Sequence, residues 1–139
     1  YETKSVVASF RYDEEGVLEP LCVASSLPEG VEDSLTMMPS EIKVHSSGKY
    51  LYTLIRGINA ASVFEIDEAS GALTLIQTLK LDGKNPRSCT ISPDGRFLLV
   101  AMILSSEVLV LAIGHDGKLS STGYKAAQPH PANITFLPA

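Results

Sequence analysis

A repeat with an offset of 47 residues limits the folds open to this chain more than any other feature. Residues 39–52 align with residues 86–99, and a turn, a basic residue and an aromatic residue coincide in the two copies. A second pair of segments follows at the same offset, since Phe64 corresponds to Leu111. Self-similarity at such a period is typical of architectures that stack one supersecondary unit on the next. The chain is therefore built mainly from one repeated unit.

Each unit contains four short apolar runs separated by Asp-Gly, Ser-Gly or Glu-Gly punctuation, which indicates strands joined by tight hairpins. Four antiparallel strands in about 45 residues match one blade of a β-propeller, whose period is roughly 40 to 50 residues. The predicted fold is therefore all-β, a β-propeller. In the last complete unit the expected strands cover residues 87–92, 96–101, 107–113 and 118–125.

The register of the repeat divides the chain into two complete and two partial blades. In the first partial blade, Tyr1 and Glu2 end a second strand, and seven extra residues precede the next unit. Open blades would leave unpaired strand edges, so we expect the rest of the ring as a partner, either a missing N-terminal part or another chain. The predicted units are a partial blade at 1–24, blades at 39–80 and 86–127, and the innermost strand of a closing blade at 131–139.

Composition and charge exclude several classes of function. The net charge of -5 and the pI of about 5.1 argue against nucleic acid or an anionic membrane as partner, because both need a basic patch. No apolar run approaches the roughly 20 residues of a spanning helix, and no leader-like start is visible, so we expect a cytoplasmic protein. Cys22 and Cys89 have no neighbours at metal-ligand spacing, which predicts buried free thiols and neither a metal nor a cofactor.

An ordered set of motifs carries a resemblance that runs over nearly the whole chain. In chain order the motifs are 27–30, 40–44, 48–52, Arg56-Gly57, 63–67, 85–87 and 92–101. Together they resemble the C-terminal part of the seven-bladed β-propeller lactonases, a family that includes 6-phosphogluconolactonases and enzymes that cyclise carboxylated muconates. The resemblance implies that this chain supplies about three blades of a seven-bladed ring.

The resemblance also implies an active site at the mouth of the central channel, built from a Glu, two Arg and a His. Glu2 and Arg56 occupy the family's Glu and one of its Arg positions, and the other two would lie upstream. Lactone opening needs a base that activates water and a group that stabilises the oxyanion, roles that suit Glu2 and Arg56 respectively. Arg56 could instead hold an anionic group of the substrate, and both residues could also be plain surface charges.

Two further residues are candidates for binding the substrate. Arg87 lies at the start of an innermost strand and could bind the substrate, or form a structural ion pair between blades. His130 precedes the last innermost strand, near the mouth, and could contact the ligand or have a structural role. His45 and His115 fall in surface turns. The loop at 29–38 should rim the mouth or project into solvent without contacts.

The functional prediction is hydrolysis of a sugar-derived lactone, with 6-phosphogluconolactone as the leading substrate. A muconate-type cycloisomerase and a non-catalytic interaction scaffold are the alternatives, since a fold does not determine its function. Ile55 stands where the family usually has Asn, and Met102 and Ile103 are also apolar. We therefore expect a mouth more apolar than is usual in the family, which favours the scaffold, whereas Glu2 and Arg56 favour the enzyme.

Overall fold

The computed structural model describes residues 4–137, which form three antiparallel sheets. This result confirms the all-β prediction. Among these residues no helix is long and apolar enough to cross a membrane. The strands are β1 Val6–Tyr12, β2 Leu18–Ser25, β3 Pro39–Val44, β4 Tyr50–Ile55, β5 Ala60–Ile66, β6 Leu73–Lys80, β7 Pro86–Ile91, β8 Phe97–Met102, β9 Glu107–Ile113 and β10 Leu119–Ala127.

Each sheet is a simple meander in which consecutive strands are neighbours. The first sheet contains β1 and β2, the middle sheet runs β3-β4-β5-β6, and the last sheet runs β7-β8-β9-β10. The four strands expected in the last unit all form, and β9 covers the predicted residues 107–113. Neighbouring sheets pack face to face, and the two innermost strands β3 and β7 lie beside each other.

The hairpins between first and second strands use the same turn in both complete sheets. Gly48 and Gly95 adopt left-handed φ angles of 75° and 73°, which glycine reaches without a steric penalty. The Asp94 carboxylate accepts the backbone N–H of Arg96 in one turn, and the Ser47 hydroxyl oxygen accepts that of Lys49 in the other. His45 Nε2 donates to the Gly95 carbonyl at 3.0 Å, so this predicted surface residue also joins two sheets.

The hydrophobic core lies between the sheets, and the middle sheet is covered on both faces. Five of the six residues of β4 are therefore buried, rather than every second one. Leu51 and Phe64 pack toward the first sheet, with Val7. The alternate residues of β4 and β5 pack toward the last sheet, where the core cluster consists of Tyr52, Leu54, Ala61, Val63, Leu81, Cys89, Leu98, Val100, Met102, Leu109, Leu111 and Leu119.

The two complete sheets approach so closely that one turn must carry glycine. A Cβ atom on Gly117 would lie 2.3 Å from Cδ1 of Tyr50. The fully buried Tyr52 hydroxyl donates to the Gly117 carbonyl at 3.0 Å. The turn between β9 and β10 therefore packs against Tyr50 and is hydrogen-bonded to Tyr52, both of which belong to β4.

Two features depart from the regular four-strand pattern. Strand β10 contains a bulge between Ser121 and Lys125, which disrupts the outer edge of the last sheet. Residues 131–137 form no strand, and strands to pair with them would have to come from outside the described chain, so the closing blade stays a prediction.

Both cysteines are free thiols, with Cys89 buried and Cys22 half-buried.

Candidate active site at the channel mouth

The starts of the inner strands and the turns after the second strands meet at one end of the sheets, here called the mouth. The Arg56 backbone N–H donates to the Met38 carbonyl at 3.1 Å, and the Ile103 N–H donates to the Asn85 carbonyl at the same distance. Met38 and Asn85 each precede the proline that begins an inner strand. Arg56 and Ile103 are therefore equivalent residues of neighbouring sheets.

A left-handed residue immediately before each third strand extends this equivalence to the first sheet. The φ angles are 38° at Ser5, 48° at Asn59 and 54° at Ser106. Counted back from Ser5, the position of Arg56 falls on Glu2. Glu2 itself lies outside the described residues, so its place at the mouth stays a prediction.

Arg56 is the first residue after β4 and is half-buried. Its Nε atom donates to the Met38 carbonyl at 3.4 Å, the oxygen that also accepts the backbone N–H of Arg56. One carbonyl therefore orients both the backbone and the guanidinium of this residue. A guanidinium held in this way can stabilise a developing oxyanion or bind a carboxylate or phosphate.

Arg87 and His130 lie at the next two entrances to inner strands. Arg87 is the second residue of β7, is exposed, and makes no ion pair with any residue in the described range 4–137. The alternative of an ion pair between blades is thus not found in this part of the chain. His130 is exposed, has a left-handed φ of 44° and precedes the buried Pro131. His115 lies exposed in its turn, as expected.

The expectation of a more apolar mouth is wrong for two of the residues that motivated it. Ile55 and Met102, the last residues of β4 and β8, have no exposed surface. Both side chains are buried inside the packed sheets, and Met102 belongs to the core cluster between the middle and last sheets. An apolar side chain that is exposed at the mouth is Leu104, with 64% of its surface accessible.

A polar ladder across the inner strands was missed by the sequence reasoning. The hydroxyl of Ser88 lies 3.2 Å from Glu41 Oε2 and 3.3 Å from Asn133 Oδ1, and can donate to one of them at a time. Lys43 forms an ion pair with Glu41 at 3.4 Å. Each ladder residue stands two positions after the proline of its unit, so comparison of equivalent positions could have found it. The ladder ties β3 and β7 to the segment after Pro131.

The long loop before β3 contacts the Arg56 turn. This contact agrees with the expectation that the loop lies at the mouth. A Cβ atom on Gly57 would lie 2.2 Å from the Thr36 carbonyl oxygen, so the loop packs directly on this turn. The alternative of a solvent loop without contacts is wrong.

A groove of about 450 Å³ runs between β1 and β3 and is lined in part by Val7, Phe10 and Ile42. By the strand order of the other two sheets, a first and a second strand would lie on this side of β1. The groove is therefore not a substrate pocket of the mouth. Within residues 4–137 no group of three His, Cys, Asp or Glu side chains is placed to hold a metal ion.

Comparison with known proteins agrees with this architecture. Residues 1–136 match the family described as lactonase, 7-bladed beta-propeller. A 6-phosphogluconolactonase of Serratia proteamaculans is 30% identical over 134 residues, 91% of this chain and 39% of the relative. That of Bacillus subtilis is 24% identical over 123 residues, 88% of this chain and 35% of the relative. The periplasmic gluconolactonase PpgL of Pseudomonas aeruginosa superposes with a TM-score of 0.90 at 27% identity, over 99% of this chain and 38% of that one.

The chain thus spans between about a third and two fifths of the length of these relatives. Its three sheets correspond to part of their ring, and the family match extends over almost all of its residues. The chain belongs to the lactonase family of seven-bladed β-propellers.

Proposed function

We propose that the protein carrying this chain hydrolyses a sugar-derived lactone, with 6-phosphogluconolactone as the leading substrate. The observation that carries the proposal is the half-buried Arg56, oriented at the mouth by the Met38 carbonyl, in a chain that belongs to a lactonase family. The names of the relatives, which include both 6-phosphogluconolactonases and a gluconolactonase, support the substrate class.

The proposed reaction adds water across the ring ester. A water oxygen bonds to the lactone carbonyl carbon while a base takes the water proton, a role we give to Glu2 from the family resemblance. The carbonyl oxygen becomes an oxyanion, which the Arg56 guanidinium stabilises. The bond from the carbonyl carbon to the ring oxygen then breaks, and the ring oxygen takes up the proton that the base had accepted. The products are a hydroxyl and a carboxylic acid of the open sugar acid, and the acid releases the second water proton to solvent and becomes a carboxylate.

Arg87 is suited to hold the phosphate of a phosphorylated substrate. Its guanidinium is exposed at the entrance next to that of Arg56 and makes no ion pair within residues 4–137. A planar guanidinium fork can bind two oxygens of a phosphate at once. His130, at the following entrance, is exposed and available as a second substrate contact.

The test is hydrolysis of 6-phosphogluconolactone by the whole protein and by an Arg56→Ala variant. If Arg56 supplies oxyanion stabilisation, kcat should fall by about 10² to 10³. Arg96→Ala is the matched control, because Arg96 is an exposed arginine at the far end of its sheet and is paired with Asp94 at 2.7 Å. Equal rates for the Arg56 variant and the wild type would contradict the proposal.

A second comparison tests the choice of substrate. Arg87→Ala should raise KM for 6-phosphogluconolactone at least tenfold, about the effect of losing one charge-assisted contact, and leave KM for unphosphorylated gluconolactone nearly unchanged. An equal effect on both lactones would remove the phosphate-binding role from Arg87.

The predicted cytoplasmic location remains part of this proposal.

A further inference from the structure

The loop before β3, residues 28–38, is here called the strap. It contains the seven extra residues that break the 47-residue period and connects the first sheet to the middle sheet. The corresponding connection before β7 covers only residues 81–85. The strap therefore has length beyond what joining two sheets requires, and it contacts two different turns.

The middle and the C-terminal part of the strap are attached to the turn before β1. The hydroxyl of Ser5 lies 2.7 Å from Asp33 Oδ1 and also contacts the Met37 carbonyl. Ser5 is 1% exposed, and its own carbonyl accepts both the backbone N–H and the hydroxyl of Ser26. Ser26 in turn accepts a hydrogen bond from Ser62 of β5 at 2.7 Å. This chain of hydrogen bonds, in which the three serines are buried, attaches the strap to the first and the middle sheets at once.

Between these two attachments the strap rests on the turn that carries Arg56. The Thr36 carbonyl occupies the space that a side chain at position 57 would need, since a Cβ there would lie 2.2 Å away. The next residue but one, Met38, provides the carbonyl that orients Arg56.

The equivalent turn of the last sheet shows that glycine at position 57 is required by the contact with the strap and not by the conformation of the turn. Leu104 occupies the position of Gly57 there, and its side chain is 64% exposed. The turn itself thus accepts a large side chain where no strap covers it. Glycine at position 57 is explained by the close approach of the strap.

We propose that the strap positions Arg56 for reaction. Asp33, held by Ser5, and the close contact at Gly57 together hold the Met38 carbonyl in place, and that carbonyl orients the guanidinium. Ser5 lies three residues after Glu2 in the sequence, so the strap contacts the chain shortly after the second proposed catalytic residue. Asp33 and Gly57 are therefore positioning residues. Their effect on rate rests on the proposed function, whereas their effect on the Arg56 turn does not.

The first test replaces Gly57 by Ala in the whole protein. The added methyl group displaces the strap at Thr36 and with it the Met38 carbonyl, so kcat should fall by on the order of 10 to 10². KM should change little, because the interaction lost is one made mainly in the transition state. Leu104→Ala is the matched control at the equivalent turn and should leave kcat unchanged. A wild-type kcat for Gly57→Ala would overturn the proposal.

The second test replaces Asp33 and needs no enzymatic activity. Hydrogen exchange of the Arg56 backbone amide reports on its bond to the Met38 carbonyl, and Asp33→Ala should accelerate that exchange at least tenfold. Asp33→Asn should restore slow exchange because its amide oxygen still accepts from Ser5, and Glu32→Ala, an exposed neighbour, should have no effect. Unchanged exchange in Asp33→Ala overturns the positioning role. Accelerated exchange in a protein that does not hydrolyse lactones supports that role and removes only the proposed function.

Discussion

Replacing Tyr52 by Phe removes one hydroxyl from the contact between the middle and last sheets and leaves the packing of the ring intact. Tyr52 is fully buried, and its hydroxyl donates to the Gly117 carbonyl at 3.0 Å. Burial raises the pKa of this phenol above its usual value, so the hydroxyl stays protonated as a donor. In the variant a buried carbonyl loses its side-chain donor, which costs about 1 to 3 kcal/mol of unfolding free energy.

Tyr50 offers a matched control on the same strand. Its hydroxyl lies 3.4 Å from the His115 carbonyl at an exposed site, so Tyr50→Phe should change the unfolding free energy by no more than about 0.5 kcal/mol. Urea denaturation of both variants and the wild type gives the two differences from the midpoints and slopes. Equal losses for the two variants, or a loss below about 0.5 kcal/mol for Tyr52→Phe, would refute the reasoning about burial.

Two further predictions concern titrating groups. Burial raises the pKa of the Cys89 thiol to about 12. Iodoacetamide at pH 8 should therefore modify the half-buried Cys22 and leave Cys89 unmodified in the native protein. Fast labelling of Cys89 would contradict its burial. Hydrogen bonds from the Ser92 hydroxyl and from Arg96 lower the pKa of Asp94 to about 2. Because the pKa of Asp94 is lower in the folded protein, the contribution of this turn to stability should be complete above the unfolded pKa of about 3.9. It should disappear as the pH falls through about 2. A carboxyl titration by NMR measures the folded pKa of Asp94 on which this pH window depends.

The strands could be predicted because each carries its signal locally. Glycines at the turns mark the ends of the apolar runs, and the 47-residue offset lets one unit support the assignment of the next. The middle strands differ from a simple alternating pattern only because both of their faces are covered. Strand β10 extends to Ala127, two residues past the predicted end, because its bulge lets pairing with β9 resume after Ser121.

The candidate site could be predicted only in part, because much of it depends on contacts between distant segments. Arg56 was identified through the family resemblance, whereas the Met38 carbonyl that orients it leaves no mark in the sequence. The bond of Asp33 to Ser5 joins residues 28 positions apart and belongs to a loop without a repeat partner. The burial of Ile55 likewise follows from the sheet packed over it, and an apolar residue alone does not reveal which way it faces.

We proposed above that the protein carrying this chain hydrolyses a sugar-derived lactone. The measurement that tests it most directly is the rate of 6-phosphogluconolactone hydrolysis by the whole protein, followed spectroscopically beside the spontaneous rate and a Glu2→Gln variant. The account predicts a rate above the spontaneous background that the variant loses, since the amide cannot act as the base. A rate for the intact protein equal to the spontaneous background would contradict the account and favour the interaction scaffold.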